Sequence, residues 1–308
     1  MVVDPVLHRV LAALVPPSAD SLPAWLNATA AERAASQIPV ERALIGGACA
    51  DRIGFAFAIG YAEALRALVP DAPGGITALC VTEEAGNMPR AIQTTLAATD
   101  EPGRYTLSGR KKWATVADHA SALLVVARTG EQRDGKHLLR VVRVATNAPG
   151  VRIVATTARF IPEISHAEVE LDRVAVAQAD VLPGDGYDLY VKPFRTVEDL
   201  HVHSALAGYL IGVVRRRELP RELLDALAAI AVATRALALA DATAATTHVG
   251  VAGVLQLFAN VVAGVERAWS ASPDDEWQRW QRDRALLQVA STARAARRER
   301  AWSVLSAS

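Results

Sequence analysis

Leu79-Cys80-Val81-Thr82-Glu83-Glu84-Ala85-Gly86-Asn87 begins the stretch whose reading decides the fold. It continues through Ile92-Gln93-Thr94, Tyr105-Thr106-Leu107-Ser108-Gly109 and Lys112-Trp113-Ala114-Thr115, and ends in the apolar run Ala122 to Ala127 closed by Arg128-Thr129. Apolar and β-branched residues alternate with polar ones in short bursts, with Gly, Asp and Pro between them, the pattern of small antiparallel strands. The sequence on either side is Ala-rich and helical in pattern, so a small β-domain is expected between two helical blocks.

Further strands are expected at 138–145, 151–154 and 167–171, beside those at 78–81, 105–108, 111–114 and 122–127. The segment Ala167-Glu168-Val169-Glu170-Leu171 alternates as a half-buried strand does, and residues 131–136 read as an exposed hairpin loop. Upstream, Val6, Val10, Leu11 and Leu14 share one helical face before Pro16-Pro17, and Asn27-Ala28-Thr29 offers a cap for a second short helix. A longer helical region runs over 40–68, with Gly46-Gly47 marking a helix junction or a close helix contact. The turn-rich run Pro70 to Gly75 is the first boundary, and Pro183-Gly184-Asp185-Gly186 is the second. Beyond it helices are expected over 187–217, 220–240, 247–269 and 274–302. Pro220 suits a first turn, and Ser272 to Glu276 supplies a cap, a proline and acids at the positive end of the dipole.

The order Cys-Val-Thr-Glu, Ala-Gly-Asn, Ile-Gln-Thr, Tyr-x-Leu-x-Gly-x-Lys-x-Trp-x-Thr, then an apolar strand ending in Ala-Arg-Thr, resembles the middle domain of the acyl-CoA dehydrogenases. The likeness extends through Ala167 to Val176 and Gly184-Asp185-Gly186-Tyr187 into the helix that follows, and fades at both ends of the chain. The resemblance implies an α+β fold that is mostly α: an N-terminal helical domain at 1–75, a central small β-barrel domain at 76–176 and a C-terminal four-helix bundle at 177–308. It also implies FAD. By motif match, Thr82, Gly86, Asn87, Trp113 and Thr115 become the candidate flavin contacts. An isoalloxazine wants donors near its polar edge, and a pyrophosphate wants backbone N–H groups it can approach closely. The family continues with Pro-Gly-x-Gly-Ser-Asp where this chain has Glu84, Ala85, Gly86, Asn87 and Met88. Asn87 can replace the serine as a donor, whereas Met88 cannot replace a carboxylate.

A second constellation is Arg195 to Gly208. Glu198, His201, Ala205 and Gly208 fall on neighbouring parts of one helical face, and small residues beside a carboxylate leave room for a ligand. Some family members place the catalytic glutamate on this helix, ten residues before a glycine, as Glu198 stands before Gly208. The late alternative, within a Tyr-Glu-Gly-Thr motif, is missing. Glu198 is therefore the candidate base for removing the proton α to an acyl thioester carbonyl. Arg195 would favour its charged form, and Asp199 stands where the family has an arginine. A surface ion pair with Arg195 is the plainer reading of Glu198. No metal site is expected, because His201 and His203 lie two apart on a helix and point to different sides.

Lys plus Arg and Asp plus Glu are 33 each, so no overall field recruits nucleic acid or an anionic membrane. The apolar fraction of 51% with only 5% aromatics rests on Ala, Val and Leu, a helix-packing composition. Cys49 and Cys80 lack ligand spacing and read as buried reduced thiols. The first residues lack a signal-peptide pattern and no uninterrupted apolar run is of membrane-spanning length, so a soluble cytoplasmic protein is expected. The last helix carries seven arginines among five acids, a solvated basic face by default. The expected function is α,β-dehydrogenation of an acyl thioester with hydride transfer to FAD. The alternatives are a non-catalytic relative acting as a binding or partner subunit, and an oxidase or monooxygenase on the same scaffold. Large apolar helix faces and the resemblance both point to a homo-oligomer, dimer or tetramer, or to pairing with a homologous subunit.

Overall fold

The computed structural model describes residues 5–12, 14–71, 75–133, 135–156 and 160–307. The N-terminal residues read for a leader, and residues 72–74 of the expected first boundary, lie outside that set. The chain forms two compact units, one of residues 68–195 and one of residues 1–67 with 196–308.

The first of these is built on a curled seven-stranded sheet of β1 (Thr77–Cys80), β2 (Thr95–Ala98), β3 (Arg104–Thr115), β4 (Ala122–Arg133), β5 (Lys136–Ala145), β6 (Val151–Thr156) and β7 (His166–Ala177). Neighbours follow the order β1-β4-β2-β3-β7-β6, with β5 antiparallel to β4. β1 runs parallel to β4, its Leu79 opposite Leu124, so these two strands read as unbroken apolar runs. The two expected strands at 105–108 and 111–114 are one strand, β3, whose register against β7 shifts between Leu107 and Gly109 and again between Lys111 and Ala114. Gly109 interrupts the alternation at the first shift, where a Cβ would lie 2.4 Å from the Thr94 hydroxyl. β2 has no counterpart among the sequence expectations, since Thr95-Leu96-Ala97-Ala98 is too short to show a period.

In the second unit the N-terminal helices are α1 (Pro5–Leu11), α2 (Leu22–Ala28), α3 (Ala30–Arg33), α4 (Pro39–Ala48) and α5 (Ile53–Leu68). The long helix expected over 40–68 is broken at Cys49–Arg52, beyond the glycine pair. Gly46-Gly47 instead lets two backbones touch: a Cβ on Gly47 would fall 1.8 Å from the Ala205 carbonyl oxygen. Thr29 caps nothing with its side chain, because its hydroxyl donates to the Trp25 carbonyl at 2.9 Å.

After a π-helical turn at Tyr187–Val191 come α6 (Lys192–Arg216), α7 (Arg221–Ala238), α8 (Ala245–Trp269), α9 (Asp275–Asp283) and α10 (Ser291–Ser306). The expected fourth bundle helix is thus two, separated by a 3-10 turn at Arg284–Gln288. Asp274 caps α9, accepting from the Trp277 N–H at 2.9 Å. α8 is long and apolar enough to cross a membrane by length and composition alone. It packs against α7 and α10 along Val251, Val254, Phe258, Val262 and Val265.

Candidate functional site

Two sets of residues were singled out by sequence, one on the sheet unit and one on α6. On the sheet unit, the chain leaves β1 into a tight turn in which Glu83 and Gly86 exchange backbone hydrogen bonds of 3.0 and 2.9 Å. Gly86 closes it at φ +110°, a conformation that side chains resist, and nothing lies within 4 Å of where its Cβ would be. The Thr82 carbonyl accepts from the Lys112 N–H at 2.8 Å, which ties the turn to β3 one residue before Trp113.

Trp113 sits in the second bulge of β3 at φ 58°, with its residue 65% exposed. A large aromatic residue held in the left-handed region and turned toward solvent carries backbone strain without a packing return in this chain. Two residues on, Thr115 pairs with His166 of β7. Among the described residues the side chains of Thr82, Asn87 and Thr115 make no hydrogen bond, so their donors and acceptors are uncommitted.

The turn is held from beneath by a buried ion pair that the sequence reading missed. Glu83 accepts from Lys111 Nζ at 2.7 Å, from the Gln93 and Thr94 N–H groups at 2.7 and 3.0 Å, and from the Thr94 hydroxyl at 2.8 Å. Lys111 also donates to the Val81 carbonyl at 3.2 Å and is fully buried. Burial acts to raise the Glu83 pKa, but the Lys111 bond and the backbone donors outweigh it and hold the carboxyl below its ordinary value. For Lys111, burial wins and the ammonium is pushed down despite Glu83. The sequence signal was the doublet Lys111-Lys112: in a strand, one of two consecutive lysines must face inward unless the strand bulges.

On α6, Glu198 makes no hydrogen bond or ion pair among the described residues, so the surface ion pair is not formed. Glu198 is half-buried; desolvation first, and the adjacent Asp199 second, push its carboxyl up to about 7, with Arg294 opposing. Asp199 is itself buried and clasped by two arginines of α10, Arg294 at 2.8 Å and Arg297, which also donates to the Thr196 hydroxyl at 3.4 Å. The basic face of the last helix is therefore partly an internal clamp: the Arg294 and Arg297 side chains are 21% and 16% exposed. Their i, i+3 spacing was the available signal.

Ala205 and Gly208 do not leave room for a ligand. The first meets Gly47, and a Cβ on Gly208 would lie 2.1 Å from the Leu44 carbonyl oxygen, so these small residues serve close contact between α6 and α4. His201 and His203 are buried and neutral, each pushed down to about 4 by burial. Each directs Nδ1 to the carbonyl four residues back, at 2.8 Å to Val197 and 2.7 Å to Asp199. No group of three or more His, Cys, Asp or Glu among the described residues could hold a metal. Cys49 and Cys80 are free, buried thiols raised by burial to about 11 and about 12, far from a reactive thiolate.

Residues 78–174 match the family model described as acyl-CoA dehydrogenase, middle domain. The probable acyl-CoA dehydrogenase YngJ of Bacillus subtilis (strain 168) is 31% identical over 90 residues, which are 28% of this chain and 24% of that protein. The matched stretch thus spans about a quarter of the curated relative's length. The butyryl-CoA dehydrogenase of Megasphaera elsdenii superposes with a TM-score of 0.66 at 15% identity, over 85% of this chain and 82% of that one. The structure of PigA with FAD and proline superposes with a TM-score of 0.68 at 14% identity, over 98% and 92%.

Proposed function

Because this chain carries the middle domain of the acyl-CoA dehydrogenases and folds as they do, we propose that it is a flavin-dependent oxidoreductase. Its reaction is the α,β-dehydrogenation of an acyl thioester. The observation that carries the reading is Trp113: an exposed indole at φ 58°, beside a glycine turn with open space and three uncommitted polar side chains. Strain of this kind persists where the surroundings fix it, and here it displays an aromatic face and free donors to a planar, polar-edged ligand.

The residues present fit FAD in donor chemistry. Thr82, Asn87 and Thr115 would supply hydroxyl and amide bonds, Gly86 a close backbone approach, and Trp113 an aromatic surface. When bound, the flavin supplies a hydride acceptor. Glu198 takes the proton from the carbon α to the thioester carbonyl. A carboxylate does this best with a pKa near the working pH, and burial together with Asp199 brings Glu198 to about 7. Arg294 and Arg297 hold the Asp199 carboxyl in an ion pair next to Glu198, which fixes the position of that neighbouring group. The enzyme is further proposed to act in the cytoplasm, and as a homo-oligomer, which the exposed Val232 on α7, Leu239 just past its end and Leu257 on α8 favour.

The test is to purify the protein, record the flavin spectrum and add an acyl-CoA panel anaerobically. Bleaching of the flavin by one member, abolished in Glu198→Gln with flavin still bound, is the expected result. A colourless protein that takes up neither FAD nor FMN on reconstitution would establish the non-catalytic alternative.

A further inference from the structure

A cavity of about 710 Å³ within the helical unit lies between α8 and the segment from α9 to α10. That volume is within the range of roughly 300–1,000 Å³ typical of small-molecule sites. It lies on the Asp199–His203 side of α6. Five residues at 3.6 per turn put His203 about 140° around the helix from Glu198, so this cavity is not on the candidate catalytic face.

Its buried end is formed by His203, Phe258 and Val262, with the imidazole edge-on to the Phe258 ring at a centroid distance of 5.2 Å. The Asp199 carbonyl can only accept, so His203 carries its proton on Nδ1. Nε2 is left as an acceptor with no partner among the described residues. Towards solvent the lining turns basic: four arginines, 284, 294, 297 and 298, against a single glutamate, Glu266. That glutamate is already engaged by Trp280 Nε1 at 2.8 Å and Arg284 at 2.9 Å. Arg294 and Arg297 are committed to Asp199, whereas Arg298 has neither a hydrogen bond nor an ion pair among the described residues.

We infer that this cavity is a binding site for a small amphipathic anion, an apolar body seated against Phe258 and Val262 that presents a carboxylate or phosphate to Arg298. The apolar end supplies the affinity that follows buried area, and the surplus of positive charge selects the sign of the head group. A neutral imidazole at the closed end rejects a second anion there, so the ligand enters body first. This site is separate from the proposed dehydrogenase chemistry and stands or falls without it.

The experiment uses the full chain and anilinonaphthalene sulfonate, a fluorescent apolar anion, as probe. One saturable site is expected, competed by octanoate or octyl phosphate but not by octanol or inorganic phosphate. The relative strength of the two competitors identifies the head group. Ala259→Trp, at an exposed position of the cavity wall, should abolish this binding, and Arg298→Glu should weaken it by about tenfold or more, each with unchanged circular dichroism and melting. Probe binding that survives Ala259→Trp, or octanol competing as well as octanoate, overturns the inference, as does failure of the probe to bind.

Discussion

Replacing Lys111 with methionine isolates the buried pair that supports the glycine turn. The substitution keeps the length of the side chain and removes only its charge and donors. Glu83 would lose the bond of 2.7 Å to Nζ but keep three others, from Gln93 N, Thr94 N and the Thr94 hydroxyl. A hydrogen bond to a charged group contributes about 1.5–3 kcal/mol, and orphaning the Val81 carbonyl adds about 1 kcal/mol. Breaking a buried pair from one side costs about 3–5 kcal/mol in all, and the three surviving donors place Lys111→Met at the lower end. Glu83→Gln should cost a similar amount. The double variant should cost at least about 2 kcal/mol less than the two singles together, since neither charge is then left alone.

The pH dependence follows from the direction of the shift. In the parent, Glu83 is held below its ordinary value, so its contribution is present above the unfolded pKa of about 4.3 and is lost as pH falls through the folded pKa. Without Lys111 the main opposing influence is gone and burial raises the carboxyl. The variant's deficit is then widest near neutral pH and narrows toward pH about 4–5. Urea unfolding across pH, read with amide exchange at Thr94, measures this. A cost below about 1 kcal/mol at neutral pH, or a double variant equal to the sum of its parts, refutes the reasoning.

Trp113→Gly relieves a left-handed residue worth roughly 1–2 kcal/mol and removes an exposed indole, so stability should hold or rise while flavin affinity falls; calorimetry and flavin titration read the two separately. Glu198→Gln removes a carboxyl raised to about 7, whose contribution is present below the unfolded pKa of about 4.3 and lost as pH rises toward 7. The variant should therefore melt higher than the parent at pH about 8 and equally at pH about 4, and lowered melting at pH about 8 would contradict a desolvated carboxylate. Gly47→Ala drives a methyl into the Ala205 carbonyl, with less than 2 Å between them before any shift, so a loss of about 3 kcal/mol or more is expected by denaturant titration. Asp199→Asn leaves Arg294 and Arg297 of α10 without their anion, and limited proteolysis should cut near residues 288–291 faster than in the parent.

The strands that could be read from sequence were those with a period to read. Ala122 to Ala127 is continuous and apolar because it lies between β1 and β5, and Ala167 to Leu171 alternates because β7 has one open face. β2 was invisible because four residues carry no period, and β3 looked like two strands because bulges at Gly109 and Trp113 reset its alternation. Glu198 was singled out because the resemblance places a glutamate ten residues before a glycine, yet Gly208 is occupied with α4. The partners of Asp199 lie 95 and 98 residues away, beyond any local pattern. Lys111 was overlooked because lysines are almost never fully buried unless paired, and its partner is 28 residues upstream.

The 95 and 98 residues between Asp199 and its two arginines order events during synthesis. The Asp199 carboxyl is made long before Arg294 and Arg297 leave the ribosome, and for that interval it lacks the two guanidinium groups that clasp it in the folded protein. The segment around residue 198 gains this clasp only after α10 has emerged. A substitution of Arg294 should then slow maturation of the segment that carries Glu198, the proposed base.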